Sequence, residues 1–254
     1  MRSEQDRTGQ SKRAPFTLLL LMTAGPRIVG FTDFFENDEE AEKETVTPPE
    51  TEESDIVARL EDARASLDDT GPFNSERGTD ADETLCGLDT AANALDASGG
   101  LDTVTGGMLD DTLSGGEDSD TLTGGDGDDA LFGGFLRETR PDDRDGDSLD
   151  GGAGDDALFL GDGDTGTGGL GADIFATVQD ATGTVTITDF DPVEDSLVIE
   201  TADAEDISIT EQTVGTGGLT LTLGTGLTVT LQGLETELDE MDISFITVEP
   251  LAAA

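Results

Sequence analysis

Between residues 88 and 168 the apolar positions follow neither a helical period nor simple alternation; they recur every nine residues. Counted in nines from Leu88, the eighth position reads Leu95, Val104, Leu113, Leu122, Leu131, Arg140, Leu149, Leu158 and Thr167. The sixth position is polar throughout: Asn93, Asp102, Asp111, Asp120, Asp129, Glu138, Asp147, Asp156 and Thr165. Glycine pairs open the units at Gly106, Gly115, Gly124, Gly133 and Gly151. GGDGDDALF (124–132) and GGAGDDALF (151–159) are the clearest copies and, in this frame, the only ones with a complete Gly-Gly-x-Gly-x-Asp turn. GTDADETLCG (78–87) reads as a further copy shifted by one residue, and 133–150 as two degraded units that keep phase rather than an insertion.

A repeat this short predicts a solenoid. Glycine turns the chain tightly, and the three residues after each turn form a short strand whose central leucine points inward. Two units make one flat coil, and coils stack as parallel β-structure about 4.8 Å apart. The fold class is therefore all-β: a parallel β-roll, with the span 88–168 giving a slab roughly 22 Å long. Units on the same edge stand two apart. That predicts one edge of Asn93, Asp111, Asp129, Asp147 and Thr165, and another of Asp102, Asp120, Glu138 and Asp156. The strongest pairs on this reading are Asp111 with Asp129, Asp129 with Asp147, and Asp102 with Asp120. Glu138 is a methylene too long, Thr165 brings no charge, and the two complete turns fall on opposite edges.

Composition changes the picture from a repeat to a metal-dependent repeat. The chain has 59 acidic against 12 basic residues, a formal charge of -47 and neither Trp nor Tyr. Such a chain repels itself and needs counter-charge to compact. Carboxylates and turn carbonyls are hard oxygen donors of the kind calcium takes six to eight of. The candidate ligands are Asp102, Asp111, Asp120, Asp129, Asp147 and Asp156, with the turn glycines Gly124, Gly127, Gly151 and Gly154; several Ca2+ ions are the expected cofactor. One buried leucine per nine residues is too thin a core to order the unit alone, so metal binding becomes part of the folding free energy. A flexible Gly/Asp linker or general halophilic acidity are the alternatives; neither explains the apolar column.

The charge argues against nucleic acid as a partner. With no histidine in the chain, His-based zinc motifs and Ser-His or Cys-His nucleophiles are excluded. Cys86 has no base beside it and acidic neighbours, which disfavours a thiolate. The expectation is a protein that is not an enzyme.

The units GGDGDDALFGG (124–134) and GGAGDDALF (151–159) resemble the glycine-rich nonapeptide repeats of RTX, or haemolysin-type calcium-binding, proteins. The likeness extends into GGLGADIFATVQDATGTVTITDFDPVEDSLVIE (168–200), which is similar to the segment that closes such arrays. The resemblance implies secretion through a one-step type I apparatus that reads a C-terminal signal, and folding in external calcium. It implies that the sixth-column aspartates are the carboxylate ligands and the glycine-turn carbonyls the backbone ligands. An extracellular, surface, matrix or adhesion role follows, with the cell-surface or matrix partner unspecified. The alternative is the export module of a secreted enzyme or toxin.

Beyond the array the period changes to two. TVTITDF (184–190), DSLVIE (195–200) and DISFITV (242–248) read as strands, and LTLTL (219–223) with LTVTL (227–231) as a hairpin across Gly-Thr-Gly. Leu219, Leu221, Leu223, Leu227, Val229 and Leu231 should share one face and cap the roll's open end. Upstream, APFTLLLLMTAG (14–25) follows Lys12 and Arg13; it is too short to span a bilayer, and a signal peptide or anchor, an interfacial helix and an ordinary segment all stand as readings. The division expected is a basic and apolar segment 1–35, an acidic and largely disordered linker 36–77 with a helix near SDIVARLEDARASLDD (54–69), the roll 78–173, a β-strand cap 174–248 and a tail 249–254.

Overall fold

The computed structural model describes residues 52–65, 74–134, 144–178, 181–201, 208–239 and 242–247, all within one unit spanning Pro48–Ala254. Among them are one helix, α1 (Glu52–Ala65), and seventeen strands in two facing sheets. The chain alternates between the sheets as it climbs the roll. One sheet stacks β1 (Asn74–Arg77), β3 (Asn93–Gly99), β5 (Thr112–Glu117), β7 (Ala130–Phe132), β9 (Ala157–Leu160), β11 (Ile174–Thr177), β13 (Ser196–Thr201) and β17 (Ile243–Thr247), each parallel to the next. The other stacks β2 (Thr84–Cys86), β4 (Thr103–Gly107), β6 (Thr121–Asp126), β8 (Ser148–Ala153), β10 (Thr165–Leu170), β12 (Thr184–Ile187) and β16 (Thr228–Gln232) in parallel, then β15 (Gly218–Leu223) and β14 (Ile209–Gly215) antiparallel.

The core is the predicted apolar column, seen from both sides. Leu95, Leu113, Leu131, Leu158, Phe175, Leu197 and Ile243 stand in register down one sheet. They face Leu85, Val104, Leu122, Leu149, Gly166, Ile187 and Leu231 on the other. All the apolar members are buried in one continuous cluster. Gly166 takes a leucine position because Leu160 already fills that space: a Cβ there would lie 3.0 Å from its Cδ1.

Register departs from the nine-residue frame in two places. The first coils keep an 18-residue step, as between Asp102 and Asp120. Across 133–150 the step is 27, with Thr121 opposite Ser148 and Ala130 opposite Ala157. The stretch is therefore not two units in phase; one nine-residue unit adds no rung to the described ladder. The in-phase register would put Arg140 into the leucine file, where an unpaired charge is costly. Residues 135–143, Glu138 and Arg140 included, lie outside the described residues. The next step is 17 rather than 18, pairing Thr165 with Ser148 and Ile174 with Ala157. At the other end, Thr84 pairs with Thr103 and Asn74 with Asn93, the one-residue shift read for the first copy.

The closing region is more continuous with the roll than a separate cap. TVTI, DSLVIE and the last strand extend the parallel sheets. The expected hairpin is β15–β16, antiparallel and joined across Gly-Thr-Gly, with Leu219, Leu221, Leu223, Leu227, Val229 and Leu231 all buried. β14 adds one strand beyond it.

The two outer faces differ. On the β2–β16 sheet, threonines follow one another from strand to strand, as Thr84, Thr103 and Thr121 do. On the other sheet Ala130, Phe132, Ala157, Phe159, Ile174, Ala176 and Val198 form a second apolar cluster on which α1 lies. Ile56, Leu60 and Ala63 recur at helical spacing on one face, and Leu60 is buried against that cluster. The helix expected in the acidic segment is thus present and packed on the roll.

Truncating a mid-stack leucine leaves a cavity that rigid neighbouring coils cannot close. Leu122→Ala is expected to lower stability by about 2–5 kcal/mol, read as a shifted urea midpoint in saturating calcium with an unchanged slope.

Candidate metal centre

Each complete turn uses glycine where the backbone demands it. The fourth-position glycines Gly127 and Gly154 have φ of 129° and 142°, a region side chains avoid. In unit 115–123 Asp118 takes that slot at φ 73°, tolerable for Asp. Such turns place the sixth-position aspartate at the mouth of the following strand, buried between coils.

The aspartates form two ladders along the stack, built from backbone N–H donors. On one edge Asn93, Asp111, Asp129, Asp156 and Asp173 each donate their N–H to the Oδ1 of the next rung, ending on Asp195, at 2.6–3.0 Å. On the other edge Glu83, Asp102, Asp120 and Asp147 donate to Asp102, Asp120, Asp147 and Asp164 at 2.7–2.9 Å. Asn93 closes one ladder as a neutral rung, its Nδ2 also donating to Asp111 Oδ1 at 2.8 Å. A second, exposed series runs beside the first edge: Asp128 N–H to Asp110, Asp155 N–H to Asp128 and Ala172 N–H to Asp155.

Asp164 and Asp195 have both carboxylate oxygens bonded, Oδ2 accepting from Gly161 N–H and Asp191 N–H; most of the other inner rungs differ. The Oδ2 atoms of Asp102, Asp111, Asp120, Asp129 and Asp156 are buried with no hydrogen-bond partner. Those of Asp111, Asp120, Asp129 and Asp156 face the first glycine of their own turn, Gly106, Gly115, Gly124 and Gly151. A Cβ on Gly106 would fall 2.5 Å from both Asp111 Oδ2 and Gly124 O, and one on Gly124 would fall on Asp129 Oδ2 and 2.5 Å from Gly151 O. Gly151 stands likewise between Asp156 Oδ2 and Gly168 O. A carboxylate oxygen and the glycine carbonyl of the next coil therefore converge where no side chain fits. Among the described residues no three His, Cys, Asp or Glu side chains meet at one point. A cation held here draws on few carboxylates and many carbonyls, an all-oxygen set that suits a hard ion.

Burial without a counter-ion is electrostatically expensive. Desolvation first, then repulsion from Asp156, Asp111 and Asp110, pushes Asp129 up to about 8. Desolvation with the charges of the neighbouring aspartates raises Asp120 and Asp156 to about 7 and Asp173 to about 6. Asp102, Asp111 and Asp195 move in the same direction for the same leading reason.

The structure brings together most of the residues singled out by the repeat, with different neighbours. Asp111 with Asp129 and Asp102 with Asp120 are successive rungs, as expected. Asp129 with Asp147 is not: the 27-residue step stacks Asp129 on Asp156 and moves Asp147 to the other edge, between Asp120 and Asp164. The complete turns 124–129 and 151–156 consequently lie on one edge, directly stacked. A third complete turn, Gly-Gly-Leu-Gly-Ala-Asp at 168–173, follows on the same edge. The strict nine-residue count missed it, along with Asp164, which stands where Thr165 was expected. A search for the turn motif free of the count finds it. Asp195, 22 residues beyond Asp173, carries no periodic signal.

Two outcomes are expected. The raised carboxyls bind protons more tightly in the folded than in the unfolded chain, where they ionise near pH 4. Their burial therefore costs nothing below that pH, and stability is lost as pH rises through about 6 to 8. In chelator, far-ultraviolet circular dichroism should show β-structure growing as pH falls from 8 to 4. Second, a double-mutant cycle by calcium-dependent unfolding should give a coupling of about 0.5–3 kcal/mol for Asp129→Asn with Asp156→Asn, and additivity for Asp129→Asn with Asp147→Asn.

A family model described as RTX calcium-binding nonapeptide repeat (four copies) matches residues 105–135 and 143–166. The gap between the matched segments falls where the register takes its 27-residue step. No curated protein matches the chain.

Proposed function

Since residues 105–135 and 143–166 match the RTX calcium-binding nonapeptide repeat, we propose that this protein is a secreted, non-enzymatic, calcium-binding scaffold whose roll folds when calcium enters its carboxylate ladders. The observation that carries the reading is the row of buried, unpartnered Oδ2 atoms aimed at side-chain-free glycines. Asp102, Asp111, Asp120, Asp129, Asp147 and Asp156 would hold the ions, joined by Asp164 and Asp173, with carbonyls of the turns containing Gly124, Gly127, Gly151 and Gly154. Bound calcium supplies positive charge between coils.

The chain's own part is to space the oxygens. At Asp111, Asp120, Asp129 and Asp156 backbone N–H donors tie Oδ1 and leave Oδ2 oriented, so coordination there costs little further reorganisation. The three stacked complete turns make the strongest positions. Without ions, ladder repulsion opposes a thin core; with them, each coil braces the next. A cell interior poor in free calcium then leaves the chain unfolded for export by a type I apparatus, and millimolar calcium outside folds it. The array and its β cap serve as the stable extracellular part, in a surface, matrix or adhesive setting. We assign residues 78–173 to the metal-binding roll, preceded by β1 of the same sheet, 174–248 to its cap, and the rest of 36–77, apart from the docked helix α1, to the linker.

Titrating calcium into the metal-free chain at pH 7.5 should produce a coil-to-β transition in the range of about 0.1–1 mM typical of extracellular sites. Magnesium, smaller and strict in its octahedral geometry, should not reproduce it. A flat titration would overturn the proposal.

A further inference from the structure

Helix α1 belongs to no repeat, yet it reaches the metal edge. The guanidinium of Arg59 donates from Nη2 to Asp155 O at 2.8 Å and to Ala172 O at 3.1 Å. These carbonyls occupy the same, fifth position in two successive complete turns, 151–156 and 168–173. Each shares its peptide plane with the N–H of the next residue. Those N–H groups are ladder donors: Asp156 to Asp173 Oδ1 at 2.9 Å, and Asp173 to Asp195 Oδ1 at 3.0 Å. A planar peptide held by its carbonyl has its N–H direction held as well. Arg59 thereby aims two donors at two rungs from outside the ladder.

The helix is held in place by contacts that exist only in the assembled roll. Leu60 packs among Phe132, Phe159, Ala157 and Ile174, which come from three successive coils. Phe132 and Phe159 stack with centroids 4.3 Å apart across the 27-residue step. Docking of α1 therefore requires the coils that carry Asp129, Asp156 and Asp173 to be in register. By linkage, whatever stabilises those coils favours the docked helix, and the docked helix favours them equally.

We infer that α1 is an intramolecular clamp on the metal edge and that Arg59 is a positioning residue for the Asp156 and Asp173 rungs. The inference rests on the calcium reading above. Arg59 touches neither carboxylate of those rungs in its two hydrogen bonds; it acts through the peptide planes and brings a positive charge to an edge otherwise lined with acids.

The test uses the full chain, with calcium alone as the probe. Arg59→Ala should weaken calcium binding at the Asp129–Asp156–Asp173 edge by about tenfold, the scale of hydrogen bonds from a charged donor. It should speed amide exchange at Asp156 and Asp173 while leaving Asp120 and Asp147 as in the parent. Arg59→Lys keeps the charge but replaces the planar guanidinium with a freely rotating ammonium on a shorter stem and should recover part of the loss. Parent-like affinity and exchange in Arg59→Ala would overturn the inference. So would equal acceleration on both edges, which would mean that the residue merely stabilises the fold. If the parent takes up no calcium, the functional reading fails by itself; amide exchange in the chain folded at acid pH then tests Arg59, and unchanged exchange at Asp156 and Asp173 would overturn its role.

Discussion

One contact governs this molecule: the N–H of a ladder aspartate bonding to Oδ1 of the aspartate one coil on. It joins coils through the group that would otherwise repel them. It also forces the carboxylates into a buried file, with the Oδ2 atoms of Asp111, Asp120, Asp129 and Asp156 facing the first glycine of their own turn. Everything else in the roll accommodates that file. Glycine is required at the head of the turn because Oδ2 and the next coil's carbonyl occupy the place of a Cβ. Strands are short because the chain must return to the ladder every half coil.

The file is a stable arrangement only with counter-charge. Asp129, carrying ladder neighbours above and below and the outer series beside it, is pushed toward its neutral form, to about 8. The complete turns are stacked at a point where burying charge is costly. That pairing of good geometry with poor electrostatics is what a metal-dependent fold needs: a geometry ready for the ion, and a reason not to persist without it. The leucine file gives direction to folding but, at one side chain per unit, little surplus.

The parts outside the repeat act on the same file. The final parallel strands and the β14–β16 meander cover the apolar end that an open roll would leave in water. Asp195 supplies the last acceptor, so the final N–H of the ladder is not left unpaired. Helix α1 covers the one outer face that is apolar rather than threonine-rich, and through Arg59 it reaches the peptide planes of the best-formed turns.

The nine-residue period, the inward leucines, the polar sixth column, the closing hairpin and the all-β roll were legible in the chain, because each depends on local turn chemistry or on side-chain alternation. Which rung stacks on which beyond Asp120 and Asp129 was not. Units of equal length are interchangeable in phase, so counting alone cannot say that one of them adds no rung between Phe132 and Ser148, or that a one-residue slip substitutes Asp164 for Thr165. Those choices are made between strands, by the backbone pairing of one coil with the next. They moved Asp147 to the opposite edge and set three complete turns in one column. The seating of α1 on the Phe132–Phe159 stack was equally invisible, since it joins side chains far apart in sequence that become neighbours only after the register is settled. Sequence thus determined the kind of site, through residue types at local spacing; tertiary structure decided its membership, because stacking is a long-range hydrogen-bonding problem.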